Sequence, residues 1–257
     1  MNDLLELAIA AHGGMDRFRQ LRSLRVRFSA GGLMFAVKGK RRAFSDVEAL
    51  VDLSQPRTIV IPYPSPGRHG VFEADRTAIE SDRGNVLAER CHPRAAFGRV
   101  RQHFWWDHLD ILYFVGYAVW NYMTVPFLFT RPGFVVEEIE PWTEGHERWR
   151  RLHVTFPPDI PTHSPEQVFH FDAHGLLRRE DYTADIVSTR GRSAHHCLDH
   201  KTFAGIVMPT RRRVVPRRAN DRALPGPTLA WLDLKAAEAV AEPVLRKAIR
   251  TGNHHGK

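Results

Sequence analysis

The sequence predicts a mostly β (α+β) protein: a curved antiparallel half-barrel of about eleven strands wrapping a central apolar helical insertion. Three observations carry this. Period-two alternation of apolar and polar residues recurs at short intervals before residue 92 and again after residue 133. Between them, the stretch 111–129 (ILYFVGYAVWNYMTVPFLF) holds no charged residue. The connections between strand-like runs are short, so neighbours pair as antiparallel hairpins, and a sheet of this many strands must curl.

The elements follow in order. Leu4, Leu5, Ala8, Ala11, Met15 and Phe18 recur at helical spacing, interrupted by Gly13-Gly14. That spacing predicts a helix, a cap at the glycines and a short second helix to about Leu21. From Ser23 the period is two: Leu24, Val26 and Phe28 alternate with Arg25 and Arg27, and Gly31-Gly32 turns the chain into 33–38 as a hairpin with one wet face. Further strands are expected at 42–47, 57–62, 71–73, 77–80 and 86–89, with an exposed loop at Pro62, Pro64, Pro66 and Gly67. Residues 93–108 read as an aromatic and basic helix that leads into the uncharged run.

About 20 apolar residues suffice to span a bilayer. Here Tyr113, Tyr117, Asn121, Tyr122 and Thr124 interrupt the run, and Pro126 lies near its end. A helix apolar on every side is otherwise buried on every side. The insertion 93–130 is therefore placed in the concavity of the sheet, with no integral membrane span. After Arg131-Pro132-Gly133 the alternation resumes at 134–139, 149–156 and 167–172. A tight turn at Ala173-His174-Gly175 precedes 176–186. A hairpin of 194–203 and 206–215 closes around Gly205, and 229–235 is the last strand. Residues 236–249 read as a closing helix and 251–257 as a flexible tail, so that 1–257 forms one domain.

Composition excludes several classes. The net charge of +8 comes from 31 Arg and 6 Lys spread along the chain, with no zinc-finger, helix-turn-helix or RNP pattern, so no nucleic-acid partner is expected. The densest run, Arg211-Arg212-Arg213 followed by Arg217-Arg218, lies on a strand-like stretch and reads as a solvated face. Two cysteines far apart, Cys91 and Cys197, fit a reducing compartment. The acidic start Asn2-Asp3-Leu4-Leu5-Glu6 lacks the basic residues of a secretory leader, so the expected location is cytoplasmic.

The layout resembles the LolA/LolB/LppX-type half-barrel superfamily of lipid and lipoprotein carriers. The residues behind the resemblance are Ala11-His12-Gly13-Gly14 before the first long strand, and Val168-Phe169-His170-Phe171-Asp172 with Gly175-Leu176-Leu177-Arg178. Met208-Pro209-Thr210 and the closing Trp231-Leu232-Asp233-Leu234 follow in the same order. The resemblance implies a half-barrel whose apolar cavity holds acyl chains or another lipophilic ligand. The start of the sequence shows no export signal and no lipidation cysteine, so the periplasmic carrier role is not expected to transfer.

Candidate chemistry is concentrated in three places. In His195-His196-Cys197-Leu198-Asp199-His200 the side chains alternate, putting His196 and His200 on one strand face; at roughly 13 Å apart they are too far to share a metal. Either could instead touch a ligand or act as an acid or base. His163 and His170 flank the next strand, with Asp181 and Tyr182 on its hairpin partner, a second possible acid–base group. In the uncharged helix Tyr113, Tyr117, Trp120, Asn121 and Thr124 form one stripe, with Trp106 just upstream. These residues suit a pocket wall, or their polar atoms bond to the surrounding strands; spacing leaves both open. No GxSxG elbow, P-loop, GxGxxG, HExxH or CxxC motif occurs.

The expected function is binding of a hydrophobic small molecule or lipid in the concavity, through Trp106, Tyr113, Tyr117, Trp120, Asn121, Thr124, Tyr182 and His196, with no cofactor or metal. The alternative is a cofactor-independent isomerase, cyclase or hydrolase acting on a lipophilic substrate, with His196, His200, His170 and Asp181 as its candidate catalytic groups.

Overall fold

A computed structural model describes residues 2–39, 44–98, 105–188 and 191–241. Two helices open the chain, α1 (Asp3–Ala11) and α2 (Met15–Gln20). The Asn2 side chain caps α1 by accepting from the Leu4 and Leu5 amides. There follow β1 (Ser23–Gly31), a one-turn helix α3 (Leu33–Val37), and β2 (Phe44–Asp52), β3 (Arg57–Ile61), β4 (Arg68–Glu73), β5 (Arg76–Ser81) and β6 (Val86–Cys91). A 3-10 turn (Pro93–Gly98) precedes the long helix α4 (His108–Thr124), and a second 3-10 turn (Phe127–Thr130) follows it. The remaining strands are β7 (Val135–Glu144), β8 (Glu147–Thr155), β9 (Glu166–Phe171), β10 (Leu177–Thr183), β11 (Arg192–Phe203), β12 (Ile206–Pro216) and β13 (Ala230–Val240).

All thirteen described strands form one antiparallel sheet in the order β6-β5-β4-β3-β2-β1-β13-β12-β11-β10-β9-β8-β7. Every neighbour is a sequence neighbour except β1 and β13, which zip the two halves of the meander together. The alternation of β1 shows how side chains divide between the faces: Leu24, Val26 and Phe28 are buried in the concave core, whereas Arg25 and Arg27 are exposed.

Helix α4 occupies the concavity. Sixteen of its seventeen residues, Leu109 through Thr124, are buried. It starts in a capping box in which Asp107 accepts from the Asp110 amide and Asp110 from the Asp107 amide. Arg90 of β6 pairs with both carboxylates, so the buried Asp110 does not stand alone. The helix lies directly on β2–β5. A Cβ at Gly116 would stand 2.4 Å from Cβ of Phe72, so only glycine permits this approach. Thr58 Oγ1 donates to the Gly116 carbonyl at 3.1 Å across the same contact. No helix among the described residues is long and apolar enough to cross a membrane.

Four features differ from the sequence expectation. Residues 33–37 are helical, not the return strand of a hairpin. Gly32, at φ 127°, breaks β1, and the free Leu33 and Met34 amides then bond to the Thr228 and Leu229 carbonyls. The partners of β1 are β2 and β13. Residues 236–240, expected to begin a closing helix, extend β13: Ala236 pairs with Arg27 and Glu238 with Arg25. Pairing to an open strand edge outweighs the helix preference of Ala-Ala-Glu-Ala; residues 242–257, the rest of that helix and the tail, lie outside the described residues. The helix expected over 93–108 is a 3-10 turn to Gly98, with 99–104 outside the described residues and α4 starting at the Asp107 cap. The Arg211–Arg213 run is not a solvated face throughout, because Arg212 is 2 % exposed.

Candidate functional site

The long strands β10, β11 and β12 bring a polar cluster to the concave face, opposite the end of α4. Cross-strand pairing sets Glu180 beside His195 and Cys197 beside Arg212. All four are buried. Arg212 Nη1 donates to Glu180 Oε1 at 2.8 Å and lies 3.3 Å from Cys197 Sγ. Its guanidinium covers the Tyr122 ring of α4 at 4.1 Å, a desolvated cation–π contact.

The cluster continues into the loop after β8. The ring of His163 stacks on Tyr182 at 4.1 Å with an interplanar angle of 8°. Its Nδ1 faces the Tyr117 hydroxyl at 3.0 Å and its Nε2 faces the Tyr122 hydroxyl at 3.4 Å. Both ring nitrogens of His163 are thus met by tyrosines. His195 is different. Its Nδ1 lies 3.4 Å from Glu180 Oε2 but outside hydrogen-bond geometry, and neither ring nitrogen has a hydrogen-bond partner. Arg212 Nε is likewise unpartnered.

Burial sets the charge states here. It lowers the pKa of His163 to about 3, with the neighbouring His195 contributing, and also lowers that of His195. Both imidazoles are neutral. Burial pushes the Glu180 carboxyl up, but His195 at 3.4 Å and the Arg212 guanidinium that donates to it more than offset this and hold it near 2. Burial raises the Tyr122, Tyr182 and Cys197 groups, keeping them protonated.

His195 and Arg212 face a narrow chamber of about 30 Å³, otherwise walled by apolar side chains including Phe35, Val119 and Leu232. A second chamber of about 90 Å³ adjoins it and extends past Met34 to the exposed Ser188. Phe114, Tyr182, Val214 and Ala230 belong to both walls. A third space, a groove of about 400 Å³, opens on the other side of the His163 cluster between Asp75, Arg94, Tyr113 and the proline-rich segment 157–165.

The sequence candidates are distributed among these places. Tyr182 lines both apolar chambers, and Tyr113 lines the groove. Tyr117 binds His163. Trp120, Asn121 and Thr124 direct their donors to backbone: Trp120 Nε1 to Asp52 O at 2.7 Å, Asn121 Nδ2 to Tyr117 O and Pro161 O, and Thr124 Oγ1 to Trp120 O. Trp106 is fully buried against Phe97 and Phe114, with the Lys38 ammonium over its ring. His200 Nε2 donates to Leu177 O at 2.9 Å beside His12, which caps α1 by donating to Ala8 O.

His170, Asp181 and His196 lie on the opposite, convex face. Cross-strand pairing places Arg179 beside both His170 and His196, and His170 Nε2 is 3.2 Å from Asp181 Oδ2. Arg179 forks onto Asp181 at 2.7 and 2.9 Å, and Trp142 and Trp149 set their rings edge-on to His170. This group is separated by the thickness of the sheet from the chambers, so His170, Asp181 and His196 do not face the concavity.

Sequence reasoning missed Glu180 and Arg212. A signal existed for the second: on a strand the middle residue of Arg-Arg-Arg must point away from the face of its two neighbours. Among the described residues, no three His, Cys, Asp or Glu side chains are grouped to hold a metal ion.

The neutral buried histidines make stability depend on pH. His12 and His163 titrate at about 4 and about 3 in the fold, both through burial, against an ordinary 6.5. A lowered histidine pKa means the unfolded chain takes up protons first, so stability is full above pH 6.5 and declines as the pH falls. Between pH 7.5 and 5.0 each histidine should cost about 2 kcal/mol. Urea unfolding at the two pH values is expected to show the lower midpoint at pH 5.0; equal midpoints would contradict neutral burial.

No family model matches the chain, and no curated protein matches it in sequence. Among solved structures, it is similar to a LolA superfamily protein from Nitrosomonas europaea, with TM-score 0.48 and 13% identity over 89% of this chain and 93% of the other. A DUF1329 family protein from Desulfovibrio piger gives TM-score 0.46 and 11% identity over 93% and 92%. Lipoprotein LppX from Mycobacterium tuberculosis gives TM-score 0.28 and 9% identity over 91% and 95%. These likenesses are of chain layout and carry no ligand with them.

Proposed function

We propose that the chain binds a small hydrophobic molecule in its concavity, with the apolar part in the two adjoining chambers and a head group against His195. The observation that carries this reading is the pairing of two adjoining apolar chambers with wall residues, His195 and Arg212, whose Nε2 and Nε atoms have no hydrogen-bond partner. Burying an unmatched donor or acceptor costs about 1–3 kcal/mol, and a bound molecule that supplies the match recovers it.

Size narrows the reading. A chamber of about 90 Å³ is smaller than the cavity of about 150 Å³ that admits benzene in an apolar core. Binding therefore involves displacement of wall side chains, and α3 is the wall most easily moved. It has five residues, tethers its first two amides to residues 228–229, and leaves Leu33 and Val37 exposed.

The neutral fluorophore N-phenyl-1-naphthylamine tests the proposal. Its emission should rise and shift to the blue with the native protein. Ala230→Leu, which fills the wall common to both chambers, should weaken binding at least tenfold while leaving the thermal midpoint within about 3 °C. No enhancement with the native protein, or equal binding by the variant, would sink the proposal.

A further inference from the structure

We infer that the molecule bound in this cavity carries an uncharged oxygen head group, a hydroxyl or a carbonyl, in preference to a carboxylate, a phosphate or an amine. The inference rests on the binding mode proposed above and specifies its ligand. It follows from the balance of charge at the chamber that His195 and Arg212 line.

The polar groups lining the chamber are Tyr182 on β10, His195 on β11, Arg212 on β12 and Tyr122 on α4, and Arg212 in turn holds Glu180 of β10 and Cys197 of β11. Two of these described groups carry formal charge, and they cancel, since Arg212 Nη1 and Glu180 Oε1 are 2.8 Å apart with both side chains buried. A ligand anion would meet Arg212 already committed to Glu180 and would be buried beside that carboxylate. An ammonium would meet Glu180 already committed to Arg212. In either case a third charge would enter a dry site with no counter-ion, a heavily penalised arrangement.

An uncharged oxygen fits instead. A neutral imidazole offers one N–H donor and one lone-pair acceptor; His195 Nδ1 lies 3.4 Å from Glu180 Oε2, which leaves Nε2 to be matched. A hydroxyl both donates and accepts, so it can satisfy either tautomer. A carbonyl satisfies the N–H alone. Arg212 Nε offers a further donor at the same wall without requiring a charged acceptor.

The test is competition against bound N-phenyl-1-naphthylamine at pH 7.5 with 1-octanol, octanoate and octylammonium, which share one chain and differ in head group. The native protein should release the probe with 1-octanol at a concentration at least tenfold lower than with either ion. Because any apolar cavity disfavours ions, Glu180→Gln supplies the decisive comparison. It leaves Arg212 without its counter-charge and should shift the octanol-to-octanoate ratio at least tenfold toward octanoate.

Circular dichroism confirms that the variant is folded, and the comparison among ligands on the native protein stands whether or not it is. Octanoate matching or exceeding 1-octanol on the native protein would overturn the inference and leave hydrophobic binding intact. A folded Glu180→Gln with an unchanged ratio would also overturn it. Probe binding that no eight-carbon ligand displaces would rule out recognition of the head group. Absence of probe binding would remove the binding reading and this inference with it.

Discussion

Arg212→Met should lower the thermal midpoint by roughly 10 °C at pH 8, because it strands Glu180 in the core without a cation. Removing one partner of a buried pair costs about 3–5 kcal/mol, and about 2–4 °C of midpoint accompanies each kcal/mol at 150–250 residues. The pair qualifies by its surroundings: Arg212 and Glu180 side chains are 2 % and 4 % exposed. The same substitution also removes the contact of the guanidinium with the Tyr122 ring.

The loss carries a pH signature that distinguishes a stranded charge from a packing defect. In the native protein Glu180 titrates near 2, because the charges around it outweigh the upward push of burial. Without Arg212 the remaining offset is that of His195, and burial is expected to raise the folded-state pKa. A carboxyl raised in the fold favours folding at low pH and loses that contribution as the pH rises. The deficit of Arg212→Met should therefore be larger at pH 8 than at pH 5. The double variant Glu180→Gln/Arg212→Met should recover part of the loss at pH 8 and none of the pH dependence. A deficit below about 2 °C at pH 8, or one independent of pH, would contradict a buried ion pair.

The fold was legible wherever a single period dominated. In β1, Leu24, Val26 and Phe28 against Arg25 and Arg27 admit one reading, and the uncharged run around Ile111–Phe129 had nowhere to go except the interior. Short segments were not legible. Leu33-Met34-Phe35-Ala36-Val37 is apolar throughout, and five such residues fit a strand or a helical turn equally well. Gly32 and the backbone acceptors at 228–229 decide between them, and these become neighbours only in three dimensions.

The site was harder to read because polar residues are buried on both faces of one sheet. Glu180 and His195 face the concavity, while their sequence neighbours Asp181 and His196 face the convex side. A register change of one residue would exchange them. The bulge between Leu177 and Arg179 further separates the observed pairing of His170 with Arg179 from the Arg178 pairing that an even count gives. Alternation reveals that neighbours lie on opposite faces but does not identify the inner face when both members of each pair are polar.

That two-sided burial makes the convex cluster the second place where a single substitution should have a large effect. Asp181 is the anion on which Arg179 forks, His170 rests and Arg217 closes at 3.7 Å. Arg179 and His170 side chains are fully buried and Arg217 is 13 % exposed. In Asp181→Ala the buried Arg179 loses its fork and retains Glu144 at 3.3 Å, while Arg217 retains Asp221. The expected loss is about 3–5 kcal/mol, read as a lower urea midpoint with an unchanged slope. Asp181→Asn should fall between the native protein and the alanine variant, since its amide retains an acceptor for one guanidinium N–H. The cluster faces away from the chambers, so binding of N-phenyl-1-naphthylamine by folded Asp181→Ala should stay within about twofold of native. Binding weakened tenfold in that variant would tie the convex face to the ligand and undo its assignment to stability alone. Retained binding with reduced stability would instead assign His170 and Asp181 to holding strands β9 and β10 in register, leaving His195 as the histidine exposed to whatever enters the concavity.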